Sequence, residues 1–295
     1  MTSRVRAHWE RCAPLSERQR DEVRDLLART ERRLGREAID EGRRRVLVLG
    51  HPAEHWLLRD DAGPLRGYAM VTPGTPPVVE ACGGGVDPAL RAALLARHGT
   101  VRWWVRARRP PPGRVERTLE VRQRRLPLAV AVTWPADAVL RPFDPDRDVE
   151  PWLTHNNRAF ADHPEQGAWR ADELRERLAE PWFDAAGFLV LDDGAGIRAS
   201  CWTKVRDRAA SASRVGEIYA VSVDPRWRGR GLGRAMVVAG ADALHHQGVD
   251  TALLFVERDN VVARALYASL GFEVVRTDVL VRLGSSPRPG DPPAT

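Results

Sequence analysis

Two stretches of this chain run through the same succession of elements, and that repetition constrains the fold more than any other feature of the sequence. The first carries LRGYAMV (65–71), VVEACGGGVDP (78–88), ALRAALLARHG (89–99) and VRWWVRA (101–107). The second carries IRASCWTKV (197–205), GEIYAVSVDP (216–225), RAMVVAGADALHHQG (234–248) and TALLFVE (251–257). Each reads as a strand, a second strand ending in Val-Asp-Pro, a helix and an apolar strand. Glu116-Arg117-Thr118 and Val275-Arg276-Thr277 hold matching places further along. Two α/β domains of one plan are expected, 1–133 and 138–283, followed by a disordered Pro- and Gly-bearing tail over 284–295.

The copies differ in chemistry. After Val223-Asp224-Pro225 the second copy inserts RWRGRGLG, whereas after Val86-Asp87-Pro88 the first goes straight into ALRAALL. The second copy also carries NVVARALYASLGF (260–272), where the first has RPPPGRV (109–115). Arg228, Gly229, Arg230, Gly231, Leu232, Gly233 and Arg234 thus stand between a strand and a helix. Glycines let the backbone turn tightly, and a helix start offers N–H donors and a partial positive charge to a phosphate-sized anion. Two arginines beside it suit a diphosphate; the plain alternative is an ordinary glycine-rich turn. The first copy, without this loop, is expected to bind no such ligand and to wall the cleft of the second.

Composition narrows the partners. Of 295 residues, 46 are Lys or Arg against 40 acidic ones, giving a net charge of +6. A basic balance fits nucleic acid or a smaller polyanion, but no DNA-reading helix or RNA-stacking platform is present, so no nucleic-acid partner is expected. No apolar run reaches the length of a membrane span, and MTSRVRAHWERC lacks a signal peptide's hydrophobic stretch. A cytoplasmic monomer without a membrane partner is the expectation. Cys12, Cys82 and Cys201 are too few and scattered for a disulfide framework or a zinc site. Lys204 is the one lysine of an arginine-rich chain, as if an ammonium were wanted there.

The pairing of R-x-x-G-x-G (226–231) with N-x-x-A-x-x-L-Y-x-x-x-G-F (260–272) resembles the GNAT superfamily of acyl-CoA N-acyltransferases. That resemblance implies two tandem domains, each a mixed, largely antiparallel sheet flanked by helices. It also implies acetyl-CoA as co-substrate, with no metal. Val221, Ser222 and Val223, the loop Arg228 to Arg234, and Asn260, Val261, Val262, Ala263, Arg264 and Ala265 would hold it. Tyr267 would return a proton to the departing thiolate; its plain reading is a helix residue with a buried ring. An amine must lose a proton before it attacks a thioester, and Glu217, at the start of the strand leading to the loop, is the carboxylate placed to take it. The N–H groups of Val221 and Val223 would polarise the carbonyl.

HPEQGAW (163–169), EPWFDAAGFLV (180–190) and CWTKV (201–205), with the tandem layout, resemble the mycothiol synthases. That family acetylates the cysteinyl amine of a cysteine–glucosamine–inositol pseudodisaccharide, Cys-GlcN-Ins. The likeness implies that Glu165, Lys204 and Glu217 contact the acceptor, with Glu37 of the first half reaching across to it. Phe255 stands where the family carries a substrate-contacting Tyr. Two other readings stay open: acetylation of another amine, such as an aminoglycoside, a polyamine or a peptide N-terminus, and a non-catalytic acyl-CoA sensor.

Overall fold

A computed structural model describes residues 7–60, 64–83, 85–106, 112–161, 167–206 and 214–284. They form two compact units, one of Met1–Leu119, Glu257–Asp259 and Arg276–Thr295, the other of Glu120–Val256 and Asn260–Val275. Neither is an unbroken stretch, so the division differs from the 1–133 and 138–283 read from the sequence. The reason is two long strands, Arg114–Arg125 and Glu273–Gly284, which each supply residues to both units. Gly284 is the last strand residue; the rest of the expected tail lies outside the described residues.

The first unit opens with β1 (His8–Cys12), α1 (Glu17–Leu34), α2 (Glu41–Leu49), β2 (Glu54–Arg59), β3 (Gly67–Thr72) and β4 (Val78–Ala81). It continues with α3 (Pro88–His98), β5 (Thr100–Val105) and the start of β6 (Arg114–Arg125). β1 to β4 are antiparallel neighbours in chain order, and β5 joins β4 in parallel. Local sequence sets the helix limits. Ser16 and Gln19 form a reciprocal capping box before α1, Asp40 caps α2, and Asp87 caps α3 with Pro88 at its first position. Leu57, Met70, Tyr68 and Leu27 fill the core on one face, and Trp103, Leu90 and Leu94 on the other. Each fully buried Leu or Met side chain contributes about 1.5–3 kcal/mol. One expected element is shorter than its sequence suggested: β4 stops at Ala81, before the glycine run, so Val86-Asp87-Pro88 does not end a strand.

The second unit contains β7 (Val139–Pro142), α4 (Val149–Ala159), α5 (Ala171–Leu178), β8 (Phe188–Asp192), β9 (Ile197–Arg206) and β10 (Val215–Val223). Then come α6 (Leu232–His246), β11 (Thr251–Glu257), α7 (Val261–Ser269) and the start of β12 (Glu273–Gly284). The strand order is β11-β10-β9-β8-β7, antiparallel except for β10 with β11. α6 covers one face through Leu232, Met236, Val237 and Leu244. It lies close because Gly240 has no side chain; a Cβ there would stand 2.4 Å from Cys201 Sγ. α4 and α5 cover the other face over Trp152, Phe188 and Trp202, whose Phe188 and Trp202 rings stack at 4.3 Å. Among the described residues no helix is long and apolar enough to cross a membrane.

Candidate active site

In the second unit β10 and its parallel partner β11 part before either strand ends. Val215, Gly216 and Glu217 pair with Thr251, Ala252 and Leu253, and β10 then runs on to Val223 with β9 as its antiparallel neighbour. Asp224 N–H donates to Arg198 O on β9 at 2.9 Å. Alternation along the strand therefore turns the N–H groups of Val223 and Val221 to the opposite edge, toward β11. A bulge at Tyr219 resets the side-chain alternation. Ile218, Val221 and Val223 pack toward α6, while Tyr219 and Ala220 join the aromatic cluster of the other face.

Glu217 stands opposite Lys204 on β9, and the two are only 5% and 6% exposed. Opposed residues share a face of the sheet. Lys204 Nζ lies 4.5 Å from the centre of the Trp182 ring, which contacts Trp202 at 5.7 Å and Tyr219 at 5.4 Å. Arg177 of α5 donates Nε to Tyr219 Oη at 3.3 Å and stands 4.0 Å from the Trp169 ring. The single lysine is therefore held against an aromatic face by cation–π attraction beside a buried carboxylate.

Beyond β10, the fully buried Asp224 anchors the glycine loop. Its carboxylate accepts from Arg226 N–H at 2.9 Å and pairs with the guanidiniums of Arg226 at 3.0 Å and Arg158 at 2.8 Å. The Arg226 hydrogen bond above all, with that of Arg158, holds the Asp224 carboxyl far below the usual carboxylate range. The Trp227 ring is flanked by Arg198 at 3.7 Å and Arg230 at 4.6 Å. Gly229 and Gly231 have φ of 76° and 80°, which would cost a residue with a side chain about 1–2 kcal/mol each. Gly231 is the N-cap of α6 and offers no side-chain acceptor to the N–H groups of Leu232, Gly233 and Arg234. Arg228 and Arg230 lie exposed beside this helix start; Arg228 Nη2 donates to Ala159 O at 2.7 Å, and Arg234 Nη1 to Ser269 Oγ at 2.7 Å. An uncapped, positively polarised terminus with guanidiniums next to it fits the diphosphate of a nucleotide-type ligand.

α7 begins under its own cap, Asn260 Oδ1 accepting from Ala263 N–H at 3.0 Å. Val261, Val262 and Ala265 are exposed, Ala263 packs on the α6 core, and Arg264 pairs with the buried Glu120 at 3.2 Å. The side chains of Asn260 and Arg264 are thus taken up by the fold itself. Tyr267 leans on Phe272, ring centres 6.1 Å apart, and burial pushes its phenol above the ordinary value. Gly271, φ 78°, ends the helix, with Gly271 N–H donating to Ala268 O and Phe272 N–H to Tyr267 O.

Among the expected acceptor residues, Lys204 and Glu217 come together. Phe255 lies on β11, 36% exposed, and Glu37 lies between α1 and α2 of the first unit. Glu165 falls outside the described residues. The chain just after it is pinned, since Asn157 of α4 donates Nδ2 to Trp169 O at 2.8 Å and accepts Trp169 N–H at 3.0 Å. Sequence reasoning quoted Trp182 within EPWFD and Asp224 within Val-Asp-Pro without giving either side chain a role, and it passed over the buried His155. His155 left only the helical spacing of the buried positions Trp152, His155 and Asn156 as a trace.

A strand that leaves its parallel partner at a buried carboxylate, and a glycine turn into an uncapped helix, define an acyl-CoA-dependent transferase of GNAT type. Residues 148–272 match the Acetyltransferase (GNAT) family. A GCN5-related N-acetyltransferase from Sphaerobacter thermophilus shares the fold with a TM-score of 0.64 at 21% identity, covering 93% of this chain and 95% of that one. The tandem GNAT protein from the clavulanic acid biosynthesis pathway gives 0.64 at 15% identity, covering 96% and 100%. Among sequence relatives, the mycothiol acetyltransferase of Thermobispora bispora is 39% identical over 250 residues, 79% of this chain and 85% of that one. That of Streptomyces coelicolor is 36% identical over 297 residues, 92% and 94%. The chain belongs to the mycothiol acetyltransferase family, within the GNAT acetyltransferases.

Proposed function

We propose that the second unit transfers acetyl from acetyl-CoA to the cysteinyl amine of Cys-GlcN-Ins, the last step of mycothiol formation, and that the first unit carries no chemistry. The observation that carries this reading is the parting of β10 from β11 at Glu217, next to the uncapped start of α6. The acetyl-CoA diphosphate would rest on the N–H groups of Leu232, Gly233 and Arg234 with Arg228 and Arg230. Val221 and Val223 would donate to the pantetheine and the thioester carbonyl. Acetyl-CoA supplies a thioester; Glu217 accepts a proton from the ammonium, directly or through one water, so that the free amine attacks the carbonyl carbon. The carbon–sulfur bond then breaks, Tyr267, kept protonated by its burial, gives its proton to sulfur, and the surplus proton shed by the adduct's nitrogen restores the phenol, directly or through water. Lys204 and Trp182 would receive the polyol part of the acceptor, an ammonium donating to hydroxyls and an indole face covering a sugar ring.

Phe255 favours a second reading, a related enzyme for a different amine, because the hydroxyl of a Tyr at this place is missing. CoA release from acetyl-CoA, with Cys-GlcN-Ins and a panel of aminoglycoside, polyamine and peptide amines, tests both. Turnover confined to Cys-GlcN-Ins is the expected result. Turnover confined to another amine would move the acceptor assignment there, and silence with all of them, with acetyl-CoA still bound, would make the protein a sensor.

A further inference from the structure

The part of β10 that runs past Glu217 has a mechanical problem. It keeps β9 on one edge while its other edge carries no pairing with β11, yet that free edge is where a donor would have to be held to within a fraction of an ångström. A buried chain of side chains ties this stretch down from behind. Trp152 Nε1 of α4 donates to Ser200 Oγ on β9 at 3.0 Å, Ser200 Oγ meets Ser222 Oγ on β10 at 2.7 Å, and Ser222 Oγ meets His155 Nε2 of α4 at 2.7 Å. All four residues are buried. An indole N–H can only donate, so one head-to-tail direction uses every hydroxyl once as acceptor and once as donor. That direction runs from Trp152 through Ser200 and Ser222 to His155 Nε2 as the final acceptor, which places the ring's one proton on Nδ1. Burial lowers His155 to about 4, so the ring is neutral near pH 7, as that direction requires.

From this geometry we infer that His155 is a positioning residue for the acetyl-donor edge of β10, acting through Ser222 and Ser200 on the backbone of Val221 and Val223. The first unit supplies an internal contrast. Its position one before Val86, the counterpart of Ser222 one before Val223, is Gly85, and β4 has already ended at Ala81. The strap is present where a strand holds an open edge. Ser222 therefore does not touch the donor itself: its hydroxyl lies in the strap, and by the same alternation its N–H turns toward β9. The inference rests on the reading that acetyl-CoA lies along Val221–Val223.

The test is steady-state kinetics of His155→Ala, Ser222→Ala and His155→Gln, with thermal unfolding and calorimetric acetyl-CoA binding on the same samples. His155→Ala is expected to lower kcat on the order of tenfold to a hundredfold per folded molecule, leaving the acceptor KM unchanged. Ser222→Ala should move in the same direction by less, and carries the test if His155→Ala does not fold. His155→Gln returns an acceptor to the Nε2 position and should recover most of kcat. A lower melting temperature with kcat unchanged in both alanine variants would make the strap purely structural and overturn the inference. So would a Gln variant that regains stability without regaining kcat. A wild-type protein that binds no acetyl-CoA would sink the underlying reading as well, and that outcome is read separately by calorimetry.

Discussion

In both units a glutamate sits at the third residue pair of the parallel strands, Glu80 opposite Trp104 in β4–β5 and Glu217 opposite Leu253 in β10–β11. Each stands six residues before the Val of Val-Asp-Pro. Their surroundings have diverged. Glu80 is fully buried, accepts from Asp40 N–H at 3.1 Å, and is gripped by Arg106 and by Arg43 at 3.3 Å. Burial pushes its carboxyl up, and the neighbouring Asp40 carboxylate adds to the shift. Its strand stops one residue later, and the helix that follows is capped by Asp87, which accepts from Ala89 and Leu90 N–H and from Trp9 Nε1. A carboxylate on a helix start takes the place of an anionic ligand. Glu217 instead faces a lysine, its strand continues, and its helix start carries no side-chain cap. One scaffold thus carries a helix start closed by a carboxylate in the first unit and one without a side-chain cap in the second.

The contrast can be broken most directly at the two glutamates. Glu217→Gln should lower kcat on the order of a hundredfold to ten-thousandfold with acetyl-CoA binding kept, while Glu80→Gln should leave kcat unchanged. Equal losses in both would erase the distinction. Glu80→Ala, which strands the Arg43 and Arg106 guanidiniums, should cost about 3–5 kcal/mol in denaturant unfolding.

The helix starts come next. Calorimetry should find one acetyl-CoA per chain, and Gly231→Ala should weaken its binding through strain at positive φ, on the order of tenfold. Asp87→Ala should cost about 0.5–2 kcal/mol of stability with no change in that stoichiometry. A second acetyl-CoA on the wild type would show that the first unit keeps a site.

The units should also share an acid sensitivity. Burial lowers both His55 and His155 from 6.5 to about 4. The folded state therefore prefers neutral rings; their contribution is complete above pH 6.5 and is lost as pH falls toward 4. His55→Gln and His155→Gln should each flatten that part of the stability profile, and an unaltered profile would count against the burial argument. The smallest effect expected is at Phe255→Tyr. A regained hydrogen bond, about 0.5–1.5 kcal/mol, should lower the Cys-GlcN-Ins KM a few-fold if the acceptor assignment holds.

The amino-acid sequence by itself set the tandem α/β plan, the glycine turn that leads into α6 and the residue types at Glu217, Lys204 and Tyr267. These are written in short-range periodicity and in glycine and proline placement, which local physics enforces. Tertiary structure alone decided which carboxylate is sealed and which is opposed by a lysine, because that depends on strand register and on groups brought from far along the chain. The same holds for the strap behind β10, whose members Trp152, His155, Ser200 and Ser222 are drawn from one helix and two strands. Beyond the helical spacing of Trp152 and His155 such residues carry no local signature; each becomes meaningful only where burial obliges every donor to find an acceptor.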